Sequence, residues 1–305
     1  MTGYRGRFAP SPTGRAHLGT ARSALLGWLR ARSEGGAFVI RMEDLDGPRV
    51  VPGAAQAMLD DLRWLGLDWD EGPDVGGPFG PYVQSERLER YREAAEALSA
   101  RGHTYPCTCS RKEIAEIASA PHGEEGPRYP GTCREGPSHP EREPAIRFRM
   151  PEPAPVFEDV FVGPVALPGD DFVILRKDGA FAYQLACVVD DAAMRITEVL
   201  RGADLLASTP RQLALYRALE LPEPRFFHVP LVLGRDGERL AKRHGAITIA
   251  ELRREGMTAA ELVGRLASGA GLLEEARAIE PRALIERFEI ARLRREPVVH
   301  APKTG

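Results

Sequence analysis

Apolar residues recur along this chain at two different spacings, and the alternation between them lays out its first hundred residues. Tyr4 to Ala9 reads as a short strand, broken at once by Pro10-Ser11-Pro12-Thr13-Gly14. From His17 to Arg32, Leu18, Leu25, Leu26 and Leu29 return at helical spacing, until Gly35-Gly36 end the run. Ala37 to Met42 predicts a second strand, and Pro52 to Leu65 a second helix with Pro near its first turn. Gly72 to Pro81 is loop. Ser85 to Ala100 predicts a third helix, with a capping Ser at its start and Gly102 just past its end. Strand, helix, strand, helix is the rhythm of a parallel α/β sheet.

The texture changes after residue 102. Residues 103–155 are rich in Pro, Gly, Cys, His and charge, which predicts an insertion too poor in apolar side chains to build a large core. Phe157 to Pro168, Phe172 to Arg176, Phe181 to Asp190 and Ile196 to Leu200 read as strand-like apolar runs, and Thr209 to Leu219 as a helix. Beyond Thr248, Leu252, Leu262, Leu266, Leu273 and Leu284 predict several short helices. The expected organisation is a first α/β half over 1–102, an insertion over 103–180, a second half over 181–247 and a helical region over 248–305.

Composition narrows the class. In 305 residues, 41 Lys and Arg nearly balance 44 Asp and Glu, for a formal charge of −3. That balance excludes a histone-like polycation, while a local basic face still suffices to bind the phosphates of a nucleic acid. No apolar run approaches the roughly 18 residues of a membrane span. Met1 to Gly14 lacks the apolar centre of a signal peptide, so a cytoplasmic protein with no membrane partner is expected.

Four stretches carry chemistry. Arg7 to Thr20 combines a strand, a Pro/Gly turn and a helix start bearing His17 and Gly19. A helix start offers free N–H groups and a positive dipole end to phosphate. Gly19 would allow close approach, and His17 could donate to a phosphate oxygen. Leu233 to Gly245 reads as a turn at Arg235-Asp236-Gly237 followed by a basic loop with Arg239, Lys242, Arg243 and His244. Such a loop suits the charge developing on leaving pyrophosphate. Glu43, Tyr183, Asp190-Asp191 and Arg201 are charged or polar groups in apolar settings near strand ends, where α/β sheets bind ligands. Cys107, Cys109 and Cys133 are bunched, which suggests a structural metal site. His103, His122, His139 and the phenol of Tyr129 are candidates for its fourth ligand, and general chemistry favours a His. Cys187, in the apolar run Leu185 to Val189, reads as core filler.

Together these strings resemble the class I aminoacyl-tRNA synthetases of the glutamyl type. His17-Leu-Gly-Thr20 is similar to that family's HIGH signature, and Arg41-Met-Glu43-Asp-Leu-Asp46 to its R-x-E-D-x-D stretch. Phe181 to Arg211 is similar to the part that closes the amino-acid pocket, and Arg239-Leu-Ala241-Lys242-Arg243 lies where KMSKS would. The resemblance runs from about residue 5 to about residue 295 of the sequence. It implies a Rossmann-like parallel sheet with a zinc-bearing insertion and a short C-terminal helical region. It implies L-glutamate held by Arg7, Phe8, Ala9, Pro10, Ser11, Glu43, Tyr183 and Arg201. It implies ATP with Mg²⁺ at His17, Gly19 and Lys242, His17 and Lys242 being catalytic.

The Cys-x-Cys … Tyr-x3-Cys spacing is similar to a truncated branch of the family, in which glutamate goes to the queuosine base of tRNA(Asp) and activation needs no tRNA. That likeness implies one structural zinc held by Cys107, Cys109, Tyr129 and Cys133, no anticodon-binding domain and a monomer. Two departures bear on the basic loop. Arg239 replaces its first Lys, and Ala241 replaces a Ser, which removes one hydrogen bond worth ~1 kcal/mol. Two other functions fit the same strings: the catalytic core of a glutamyl-tRNA synthetase whose anticodon domain is a separate chain, and an inactive RNA-binding paralogue.

Overall fold

The computed structural model describes residues 3–110, 112–114, 128–233 and 247–299. His122 and the basic loop of Arg239, Ala241, Lys242, Arg243 and His244 lie outside the described residues.

A six-stranded sheet forms the centre. Its strands are β1 (Arg5–Phe8), β2 (Ala37–Ile40), β5 (Phe157–Asp159), β6 (Gly163–Val165), β8 (Glu198–Gly202) and β9 (Arg225–Val229). They lie in the order β2-β1-β8-β9-β5-β6, parallel throughout except for the β5–β6 hairpin at one edge. The predicted alternation is present. Helix α1 (Leu18–Ser33) joins β1 to β2, and α2 (Ala54–Trp64) follows β2. The turn between α1 and β2 needs Gly36, because a Cβ there would lie 2.3 Å from the Tyr4 carbonyl oxygen.

Each face of the sheet carries its own core. On one face α1, α2 and α7 (Ala259–Ala270) enclose Leu25, Trp28, Leu29, Phe38, Ile40, Leu200 and Phe227. On the other, α3 (Leu88–Ala100), α4 (Tyr183–Ala193) and α5 (Thr209–Ala218) cover Val39, Val199 and Phe226. Strand alternation explains the split, since Phe38 and Ile40 point one way and Val39 the other.

A separate three-stranded antiparallel sheet holds β3 (Thr104–Cys107), β4 (Ala145–Phe148) and β7 (Phe172–Leu175), in the order β3-β4-β7. Residues 157–165 fall inside the segment expected as insertion, yet they extend the central sheet. Near the end of the described chain β10 (Val232–Leu233) pairs with β11 (Val298–Val299). The short helices α6 (Ile249–Arg254) and α7 each begin with a capping box, Thr248 with Glu251 and Thr258 with Glu261.

Three expectations are corrected. Phe181 to Asp190 is not a strand: helix α4 starts at Tyr183. Leu185, Ala186, Cys187 and Val188 are each at most 1% exposed, so this helix lacks the polar face that makes a helical period visible. The second helix begins at Ala54, with Gly53 in left-handed conformation before it, so Pro52 lies outside its first turn. Ser85 caps nothing. Its hydroxyl donates to Asp44, and α3 begins at Leu88.

Candidate active site at the strand ends

Buried polar side chains converge near the strand ends for a geometric reason. Arg7, Arg41, Arg201 and His228 share the face of the sheet that carries Val39, Val199 and Phe226. All lie at or just past the carboxyl ends of parallel strands. In an open α/β sheet that edge is where ligands bind.

Arg7 is 5% exposed, and its Nε donates to both oxygens of Asp191, at 3.2 and 3.3 Å. Arg41 is fully buried. It donates to Asp191 at 2.7 Å through Nη1 and to Glu43 Oε1 at 2.9 Å through Nη2. Burial pushes the Asp191 carboxyl up, but the two guanidinium groups outweigh it and hold the group below its ordinary value. Glu43 Oε1 is thereby taken by Arg41.

Cys187 is not mere core filler: its thiol donates to Glu43 Oε1 at 3.2 Å. Burial and the Glu43 charge push that thiol up, which keeps it protonated and donating. Helix α4 thus sends adjacent carboxylates two ways. Asp191 reaches the sheet, while Asp190 takes Gln84 Nε2 and Tyr91 Oη at 2.8 Å each, together with Arg87. Tyr183 opens the same helix and lies within electrostatic reach of Glu43, Arg201 and Arg7, and burial raises its phenol well above the ordinary range.

Arg201 is gripped independently. It donates to His228 Nε2 at 2.9 Å, Gln212 Oε1 at 2.8 Å and Thr209 Oγ1 at 2.7 Å. Asp159 lies behind His228 at 2.6 Å. Sequence reasoning missed Asp159, His228, Thr209 and Gln212 and gave Arg41 no role of its own. The one available signal was polar residues set among strand and helix apolars, as in Phe226-Phe227-His228-Val229.

The loop after β1 packs directly on the strand-end network. Glu43 N–H donates to the Pro10 carbonyl at 3.0 Å and Arg41 N–H to Phe8 at 3.1 Å. Ala9 is half-buried and Ser11 exposed. His17 is the N-cap of α1, its Nδ1 accepting from the Thr20 backbone at 3.3 Å. A Cβ on Gly19 would come within 3.1 Å of that imidazole, so the glycine gives the ring its room. His17 also pairs in a β-bridge with Thr248, which ties this loop to the residues that follow 234–246.

The thiols of Cys107, Cys109 and Cys133 lie within 4.8 Å of one another. Cys109 and Cys133 are 3.5 Å apart, and the Tyr129 hydroxyl is 3.4 Å from Cys107 and 4.0 Å from Cys109. A tetrahedral zinc with bonds near 2.3 Å sets its sulfur ligands roughly 3.8 Å apart, so this donor set could hold a metal. Burial pushes the Cys133 thiol up, but bonds from the Ser138 hydroxyl and N–H outweigh it and bring it down to about 5. The described histidines are engaged elsewhere. His103 stacks on Phe148, and His139 lies 3.2 Å from Glu113.

Residues 4–298 match the family model of the class I tRNA synthetases (E and Q), catalytic domain. A protein of Symbiobacterium thermophilum named glutamyl-Q tRNA(Asp) synthetase is 55% identical over 96% of this chain and 94% of its own. A glutamate–tRNA ligase of an Anaeromyxobacter species is 50% identical over 82% of this chain, but over only 54% of its own. The crystal structure of glutamate–tRNA synthetase from Elizabethkingia anophelis superposes with a TM-score of 0.85 at 29% identity. The match covers 98% of this chain and 68% of that one.

Proposed function

The chain belongs to the class I tRNA synthetases of the E and Q type, and we propose that it activates L-glutamate with ATP, without tRNA, and passes it to the queuosine base of tRNA(Asp). Ligase chemistry on glutamate follows from the family. The queuosine acceptor is carried by the near-full-length match to the relative named for that activity, against half-length matches to glutamate–tRNA ligases.

The buried arginine pair is the observation that supports glutamate as substrate. Arg7 and Arg201 each lie one residue before the end of neighbouring strands, each already oriented by a protein acceptor. A guanidinium fixed in this way offers its remaining N–H groups to a carboxylate at little cost in freedom. Glu43 Oε2 receives the α-ammonium, and Tyr183 with the loop of Phe8, Ala9, Pro10 and Ser11 closes the pocket. The α-carboxylate then attacks the α-phosphorus of ATP, and pyrophosphate leaves. No base is needed, so the residues contribute by positioning and by electrostatics. His17 and Gly19 at the start of α1, with Lys242 from the basic loop, hold the phosphates. Mg²⁺ bound with ATP neutralises phosphate charge. In the second step a hydroxyl of the modified base attacks the adenylate carbonyl and AMP leaves.

Labelled glutamate, ATP and tRNA pools with and without queuosine test the assignment. Label is expected only on queuosine-bearing tRNA(Asp), and ATP–pyrophosphate exchange is expected with no tRNA present. Label at the 3′ end of tRNA(Glu) would refute the acceptor.

The donor set of Cys107, Cys109, Tyr129 and Cys133 fits one zinc ion, which would clamp a segment with few core residues of its own. Chelation is expected to raise amide exchange in residues 104–109 and 129–133 while adenylate formation survives. Unchanged exchange, with no zinc released, would overturn the site.

A further inference from the structure

The acceptor that orients Arg201 is a histidine, and only one of its protonation states can do the task. His228 is fully buried, flanked by the rings of Phe157 and Phe226. Its Nε2 can accept from Arg201 Nε–H only when the ring is neutral and its proton sits on Nδ1. Asp159 selects that form, its Oδ2 lying 2.6 Å from Nδ1. Asp159 is itself fixed, because one oxygen takes the Phe161 and Val162 N–H groups at 3.0 and 2.9 Å.

With Nε on His228, Nη2 donates to Thr209 and to the Leu205 carbonyl, and Nη1 to Gln212. One Nη1 N–H then remains without an acceptor among the described residues. The chain of bonds runs across three adjacent strands, β5, β9 and β8, and ends on the start of α5.

We propose that Asp159 and His228 are positioning residues that aim the last Nη1 N–H of Arg201 at a carboxylate of the substrate, and that protonating His228 releases this aim. The inference rests on Arg201 as a ligand of glutamate. Asp159 faces His228 from β5, Arg201 from β8, Arg7 from β1 and Thr209 from α5. A proton on Nε2 would set two donors and two positive charges 2.9 Å apart. Burial and the two guanidinium groups lower the His228 pKa from 6.5 against the pull of Asp159, so the loss of aim falls on the acid side of that value.

Pyrophosphate exchange measured from about pH 5 to about pH 8 spans the range in which a histidine titrates. In wild type the KM for glutamate is expected to rise toward acid pH while the KM for ATP does not follow it. His228→Leu should raise the glutamate KM about tenfold at neutral pH, with kcat and the ATP KM within about twofold. His228→Gln places an amide oxygen near the lost acceptor and cannot titrate. It should restore the neutral-pH KM and abolish the acid rise. A folded His228→Leu with wild-type glutamate KM would overturn the inference, and so would an acid rise that persists in His228→Gln. Should His228→Leu not fold, the comparison of wild type with His228→Gln decides alone. Arg201→Lys separates the two layers. If it leaves the glutamate KM unchanged, the pocket assignment fails. If it raises that KM while the His228 variants do not, only the positioning role fails.

Discussion

Replacing Asp191 with Asn is expected to lower the free energy of unfolding by about 3–5 kcal/mol, the cost of taking one partner out of a buried ion network. Among the described residues, Asp191 is the carboxylate that hydrogen-bonds both Arg7 and Arg41. Arg41 keeps Glu43 and Asp190, whereas among the described residues the hydrogen bond left to Arg7 is a 3.5 Å contact to the Leu200 carbonyl. The asparagine is nearly isosteric, so the loss reports charge rather than a cavity. Equilibrium urea unfolding measures it, and an unchanged midpoint would count against the network as a stabilising element.

The effect carries a pH signature. Because the folded carboxyl titrates below its ordinary 3.8, the unfolded chain takes up the proton first as pH falls. The wild-type advantage over Asp191→Asn is therefore full above 3.8 and shrinks as pH drops through the lowered folded value. Glutamate binding should weaken in the same variant, since Arg7 loses the acceptor that orients it.

Lys242→Ala is expected to slow ATP–pyrophosphate exchange by about 10²–10³, the usual penalty for removing one preorganised group from developing charge. The glutamate KM should stay within roughly twofold, because the strand-end arginines are untouched. Lys242→Arg keeps a positive charge and should recover part of the rate. The basic loop carries Arg239 and Ala241 in place of the signature's Lys and Ser, so the proposed phosphate contact of Lys242 is the part of that signature this variant tests. Exchange at the wild-type rate in Lys242→Ala would remove it from the mechanism while leaving the glutamate pocket intact.

Local pattern made a good part of this protein legible. The strand–turn–helix of Arg7 to Thr20 lies where its apolar spacing and its Pro/Gly turn predict, with His17 at the helix start. Cys107, Cys109 and Cys133 come together as their bunching suggests, and Tyr129 lies beside them as the resemblance implies. Helix α4 was not legible, because burial on nearly every side erases the contrast between faces from which a period is read. Cys187 is buried as its apolar run predicts, but such a run gives no sign that its thiol donates to Glu43.

What the sequence determined by itself is local: where elements start and stop, which stretches bear chemistry, and which residue types could meet phosphate, carboxylate or metal. Tertiary structure alone decided how the charges pair. Arg7 finds Asp191 across 184 residues of chain, and His228 finds Asp159 across 69. Those partners depend on β1, β8, β9 and β5 becoming neighbours, and strand order is fixed by packing the whole sheet between its helices rather than by any short window of residues. Once the strands are ordered, the alternation of side chains delivers the buried charges to one edge, where they must satisfy one another or a ligand.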